Sequence, residues 1–107
     1  MLWHLRSFDF SGLDADARAE MEDRLRSFEQ IPQLAAVRVG SDMERPDWTV
    51  LLCAFHAAEG LPSYRIHPAH VAFGGALRAQ AIKTIAMDLE TDDDPTATFV
   101  ASVNGHP

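Results

Sequence analysis

The chain has 107 residues, 47% of them hydrophobic and 23% charged, a balance that builds one ordinary domain and excludes a chain disordered throughout. Nine Lys and Arg against sixteen Asp and Glu leave a net charge of −7. That sign opposes a nucleic-acid role resting on phosphate neutralisation, and it disfavours anionic membranes likewise.

Residues 1–10 read as a first strand, with Trp3 and Leu5 on one face and Leu2, His4, Phe8 and Phe10 on the other. Ser11-Gly12 breaks it, and Asp14 is placed to cap a helix running to about Gln30. In that helix Leu13, Ala17, Met21, Leu25 and Phe28 form one apolar stripe. The pairs Asp14–Arg18, Glu20–Arg24 and Glu22–Arg26 stand at i,i+4 on the opposite side, which predicts a solvated charged face.

Pro32 ends the helix, Leu34 to Val39 form a second strand, and residues 40–46 have loop composition. Trp48 to Phe55 is apolar on both faces, which predicts a central strand covered on both sides. A short helix over Ala57 to Ile66, weakened by Gly60 and Pro62, precedes a third helix from Pro68 to about Gln80. Ile82 to Glu90 is the fourth strand.

The order β-α-β-β-α-β, with its second helix split, predicts an α+β ferredoxin-like sandwich: a four-stranded antiparallel sheet with helices on one face. Large apolar groups on both faces of the first and third strands predict a homodimer joined sheet to sheet. The competing cover is the chain's own tail. Residues 1–90 are expected to form the domain, and residues 91–107 an acidic linker followed by an arm or edge strand over Thr96 to Val103. Cys53, the single cysteine, lies in an apolar run, and the N-terminus has no long apolar centre, so a soluble cytoplasmic protein is expected.

With His56 and His106 set aside as exposed, the chemistry-bearing residues are His4, Tyr64, His67 and His70. In Tyr64-Arg65-Ile66-His67-Pro68-Ala69-His70 the tyrosine closes one turn and His70 lies one turn into the next helix, on the side of Gly74. His4 on the first strand can face this helix start. An imidazole that titrates near neutral pH and a phenol that donates to an oxyanion suit proton transfer, whereas a purely structural role for each residue stays open. His67, followed by Pro68, is placed to cap the third helix. A metal shared by His4, His67 and His70 lacks a carboxylate or a CxxC and is not expected. Gly74-Gly75 costs the helix stability and predicts a close approach, by a sheet residue or by a ligand.

The segment YRIHPAHVAFGG, after an apolar strand ending in Phe55-His56 and a first strand carrying His4, resembles the stress-responsive A/B barrel (Dabb) domain family over about residues 1–90. The resemblance implies a homodimeric α+β barrel. In the polyketide-cyclase member of that family, which closes a ring by aldol condensation without a cofactor, the catalytic tyrosine and histidine match Tyr64 and His70, and a strand histidine matches His4. A further pocket histidine of that enzyme falls at Val50 here. His4, Tyr64 and His70 are therefore the candidate catalytic residues, and His67, Val50, Phe73 and Gly74 the candidate pocket, with no cofactor and no metal. Two functions follow. One is a cyclase or isomerase acting on an apolar carbonyl or aromatic compound; the other is a non-catalytic dimeric stress-response or ligand-binding module. A haem or quinol monooxygenase of the wider dimeric barrel group lacks a haem-ligand context. A cleft reaching Tyr64 and His70 would favour the enzyme or binder, and a sealed core the module.

Overall fold

The computed structural model describes residues 1–92, so the arm expected over Thr96 to Val103 lies outside the described residues. Strand β1 (Leu2–Asp9) leads to helix α1 (Ala15–Arg26), which tightens into a 3₁₀ turn over Ser27–Gln30. Strands β2 (Leu34–Ser41) and β3 (Trp48–Phe55) follow, then a 3₁₀ turn at Ala58–Gly60, the short helix α2 (Leu61–Ile66), helix α3 (Pro68–Ala79) and strand β4 (Thr84–Glu90). The sheet order is β2-β3-β1-β4, and every neighbouring pair is antiparallel. This is the predicted ferredoxin-like arrangement, with β1 and β3 in the centre. Strand β4 begins two residues later than the sequence suggests, because Ala81 (φ 51°) and Ile82 are used to close α3.

Local chemistry sets the helix ends. Asp14 Oδ1 accepts from the Ala17 amide at 2.8 Å, and such a cap is worth about 1 kcal/mol. At the far end of α3 the Ile82 amide donates to the Leu77 carbonyl, and Ala81 takes the left-handed conformation that such a closure requires.

The charged side of α1 is less solvated than its spacing predicts. Glu20 pairs with Arg24 at 3.2 Å as expected, but Asp14 is occupied as the cap and Arg26 meets Asp23 instead of Glu22. Glu22 turns to the sheet, where it accepts from the buried Thr49 hydroxyl at 2.7 Å, and Arg18 donates to the same oxygen of Thr49 at 3.2 Å. A polar contact thus pins α1 to β3.

Between helices and sheet lies an aromatic core. Phe28 meets Tyr64 and Phe73 edge to face at 6.1 and 5.7 Å, Phe55 meets Tyr64 at 5.0 Å, and Phe8 meets Phe73 at 5.2 Å. Edge-to-face pairs of this kind are worth about 0.5–1.5 kcal/mol beyond their burial. Among the described residues no helix covers the other sheet face. Ile85, Met87 and Leu89 are 42, 62 and 58% exposed there, and Trp3, Leu5 and Leu52 border a shallow apolar hollow of about 320 Å³ beside Met87 and Leu89.

Candidate active site

Strand register and helix start together place three titratable rings against one another. His4 lies on the helix-covered face of β1, in line with Cys53 of β3 and Asp88 of β4. Tyr64 descends from α2 and His70 from the first turn of α3. The His4 and Tyr64 ring centres are 5.2 Å apart, and those of Tyr64 and His70 4.6 Å. A cleft of about 150 Å³ opens between them, with Arg6 and Leu51 on the sheet side and Phe28, Phe73 and Gly74 on the helix side.

Hydrogen bonds fix the protons on both imidazoles. His4 Nδ1 stands 2.7 Å from Asp88 Oδ1, an acceptor only, so Nδ1 carries the hydrogen and Nε2 keeps its lone pair. His70 Nδ1 stands 3.0 Å from the Arg65 carbonyl, which sets the same tautomer. Burial lowers the pKa of His4, aided by the Arg6 charge and opposed by Asp88. Burial lowers that of His70 as well, against the Arg65 hydrogen bond. Both rings are therefore neutral bases at neutral pH.

Burial raises the Tyr64 phenol above its usual range, so it stays protonated and can donate. Among the described residues its hydroxyl has no hydrogen-bond partner, although the ring is 1% exposed. For Asp88 burial works against the carboxylate, but the hydrogen bonds from Arg6 and His4 outweigh it and hold the pKa down. Burial pushes the Cys53 thiol up to about 12, which leaves it inert beside His4.

Of the residues singled out in the sequence, His4, Tyr64, His70, Phe73 and Gly74 meet in this cleft. Two do not. His67 accepts from the Ala69 amide through Nδ1 at 3.1 Å, so its ring is used as the cap of α3. Val50 is corrected outright: it pairs with Ser7 and alternates with the cleft residue Leu51, so it lies on the helix-free face of the sheet. The close approach of a sheet residue to Gly74-Gly75 is not found, since no sheet atom lies within 4 Å of a Cβ added at either position. What comes near Gly74 is the Arg78 guanidinium, at 3.5 Å. Arg6 and Asp88 were missed. The β1–β4 register that puts both beside His4 is a long-range fact that an acidic residue within a mostly apolar strand only hints at.

Among the described residues no group of three His, Cys, Asp or Glu is arranged to hold a metal, and no helix is long and apolar enough to cross a membrane.

The stress responsive A/B barrel domain matches residues 2–91. This chain belongs to that family. None of the curated proteins matches the chain. Among solved structures, this A/B barrel domain is similar to a dimeric ferredoxin-like protein of unknown function from Jannaschia sp. CCS1, at 27% identity and a TM-score of 0.68, over 84% of this chain and 98% of that one. It is similar to a protein from Arabidopsis thaliana at 19% identity and a TM-score of 0.70, over 88% and 98% of the two chains. It is also similar to SnoaB, a cofactor-independent oxygenase from Streptomyces nogalater, at 12% identity and a TM-score of 0.68, over 87% and 94%. The last two likenesses establish the fold of the A/B barrel domain and nothing finer.

Proposed function

We propose that this protein is a homodimeric, cofactor-independent enzyme that enolises a small carbonyl compound, aliphatic or bearing an aromatic ring, and uses the enolate for cyclisation or isomerisation. The observation that carries the reading is the open cleft shared by Tyr64 and His70, where a structural core would have been sealed.

His70 Nε2 takes a proton from the carbon beside the carbonyl, and the C–H electron pair becomes the enolate C=C as the carbonyl oxygen gains charge. The Tyr64 hydroxyl donates to that oxygen. The enolate carbon then attacks a second carbonyl of the same molecule, or the proton returns from His70 to a different carbon. His4, its tautomer set by Asp88, provides the second base within the cleft.

The homodimer is supported by the apolar sheet face that no described helix covers, where Ile85, Met87 and Leu89 are exposed. The dimeric relative from Jannaschia supports it too. A cytoplasmic location belongs to the same reading, supported by the single buried free thiol.

Thermal-shift screening of aromatic and polyketide-like carbonyl compounds tests the function. A compound that stabilises the wild type but neither Tyr64→Phe nor His70→Ala supports it. If none stabilises the wild type and His70→Ala merely melts earlier, the protein is a binding or stress-response module without this chemistry. An oxygenase reading rests on the fold shared with SnoaB, and oxygen uptake during turnover separates it from the cofactor-free cyclase or isomerase.

A further inference from the structure

We propose that the substrate of the cleft carries a carboxylate and that Arg6 receives it, so the enzyme acts on a small keto acid, aliphatic or bearing an aromatic ring, rather than on a neutral ketone. This rests on the acid–base reading of Tyr64 and His70 and adds the substrate's charge to it.

Arg6 occupies a helix-facing position of a central strand, between His4 and Phe8, where an apolar side chain would pack at no desolvation cost. Among the described residues that line the cleft, Arg6 alone carries a formal charge. Its guanidinium is held in place: Nη1 donates to the Leu5 carbonyl at 2.8 Å, and the fork has longer contacts, 3.3–3.4 Å, to the Met87 carbonyl and to both Asp88 oxygens. Its Nε–H has no partner among the described residues.

Asp88 offsets this charge only in part. It pairs with the Arg6 fork through both oxygens at 3.3 and 3.4 Å, but it is 40% exposed, also accepts from His4 at 2.7 Å, and leaves the Arg6 Nε–H and one Nη2 hydrogen unused among the described residues. A carboxylate in the cleft would meet a guanidinium with free donors, the geometry that makes arginine a carboxylate receptor.

The surroundings agree. A second depression continues from the cleft over Gly74, Leu77 and Thr84, and its lining adds Arg78 but no Asp or Glu. The Arg78 guanidinium lies beside Gly74, 3.5 Å from where a Cβ would stand. In a chain of net charge −7, the described lining of this groove carries two arginines, with Asp88 the carboxylate beside it on Arg6 and His4, so the balance of charge along the groove is positive. The cleft's own volume of about 150 Å³ is enough for one benzene-sized ring.

The probes are benzoate and benzamide, alike in shape and different in charge, titrated into the full chain while NMR follows the ring signals of His4 and His70. The proposal expects benzoate to bind at least about 10-fold tighter, the preference to vanish in Arg6→Gln, and Arg6→Lys to restore part of it, because lysine keeps the charge but loses the fork. Circular dichroism establishes that each variant is folded, and Arg6→Lys remains an independent test if Arg6→Gln is not. Equal binding of both probes at the two histidines overturns the carboxylate inference and leaves the acid–base reading standing. A preference that survives in Arg6→Gln overturns the assignment to Arg6. If neither probe moves either ring, both readings fall.

Discussion

Along β1 the helix-facing positions are Leu2, His4, Arg6 and Phe8, and the intervening ones are Trp3, Leu5 and Ser7. The first set, with Tyr64 and His70 above it, encloses polar groups whose protons and charges are fixed by neighbours. The second set spreads Trp3, Leu5, Leu52, Met87 and Leu89 into a hollow almost without polar lining. One strand therefore serves two kinds of chemistry through its two-residue period alone. The covered face can hold a reaction because helices exclude water from it, and the uncovered face can only lower its free energy by finding a cover.

The largest expected effects fall on the covered face. Tyr64→Phe keeps the ring packing and removes the oxyanion donor, and His70→Ala removes the base; each should lower kcat by about 10²–10⁴-fold while the far-ultraviolet spectrum stays native. On the other face, Leu52→Asp should split the proposed dimer. Sedimentation would then show a species near 12 kDa, and a wild type that is itself monomeric at all concentrations would remove the contrast between the faces. A biological interface there should bury more than about 1,000 Å² in total.

The fold was legible because each strand and helix carries its own period. Trp48 to Phe55 reads as a central strand from composition, and Pro32, Pro68 and the capping Asp14 mark boundaries that the structure keeps. The site was legible in part. Tyr64 and His70 are near in sequence, on two helices joined at His67, so local spacing suffices to bring them together. Val50 enters the candidate pocket only through the family resemblance, and the β1–β3 register sets it opposite Ser7, on the other face from Leu51. Arg6 and Asp88 stand 82 residues apart and meet only through the β1–β4 pairing.

Smaller effects sharpen the comparison. Asp88→Asn removes the carboxylate that raises the His4 pKa, so the His4 titration followed by NMR should move further below 6.5 while that of His70 changes little. Because both histidines titrate lower in the folded chain than in the unfolded one, the unfolded state binds more protons once the pH drops below about 6.5. Stability should be level above that value and fall as the pH is lowered through it, in a urea series between pH 7.5 and 5. The smallest change expected is at the end of α3: Ala81→Gly relieves a left-handed alanine and should stabilise by about 1 kcal/mol, read as a higher Tm.

The central claim is that the cleft holds a neutral base beside a phenol able to receive enolate charge. The most direct measurement is hydrogen–deuterium exchange at the carbon next to a carbonyl, followed by proton NMR in D₂O with acetophenone and 2-oxobutanoate as substrates. The account predicts exchange well above the buffer rate with wild type on at least one of them, and loss of about 10²-fold or more in both Tyr64→Phe and His70→Ala. Exchange at the buffer rate with wild type, or equal acceleration by wild type and both variants, would contradict it.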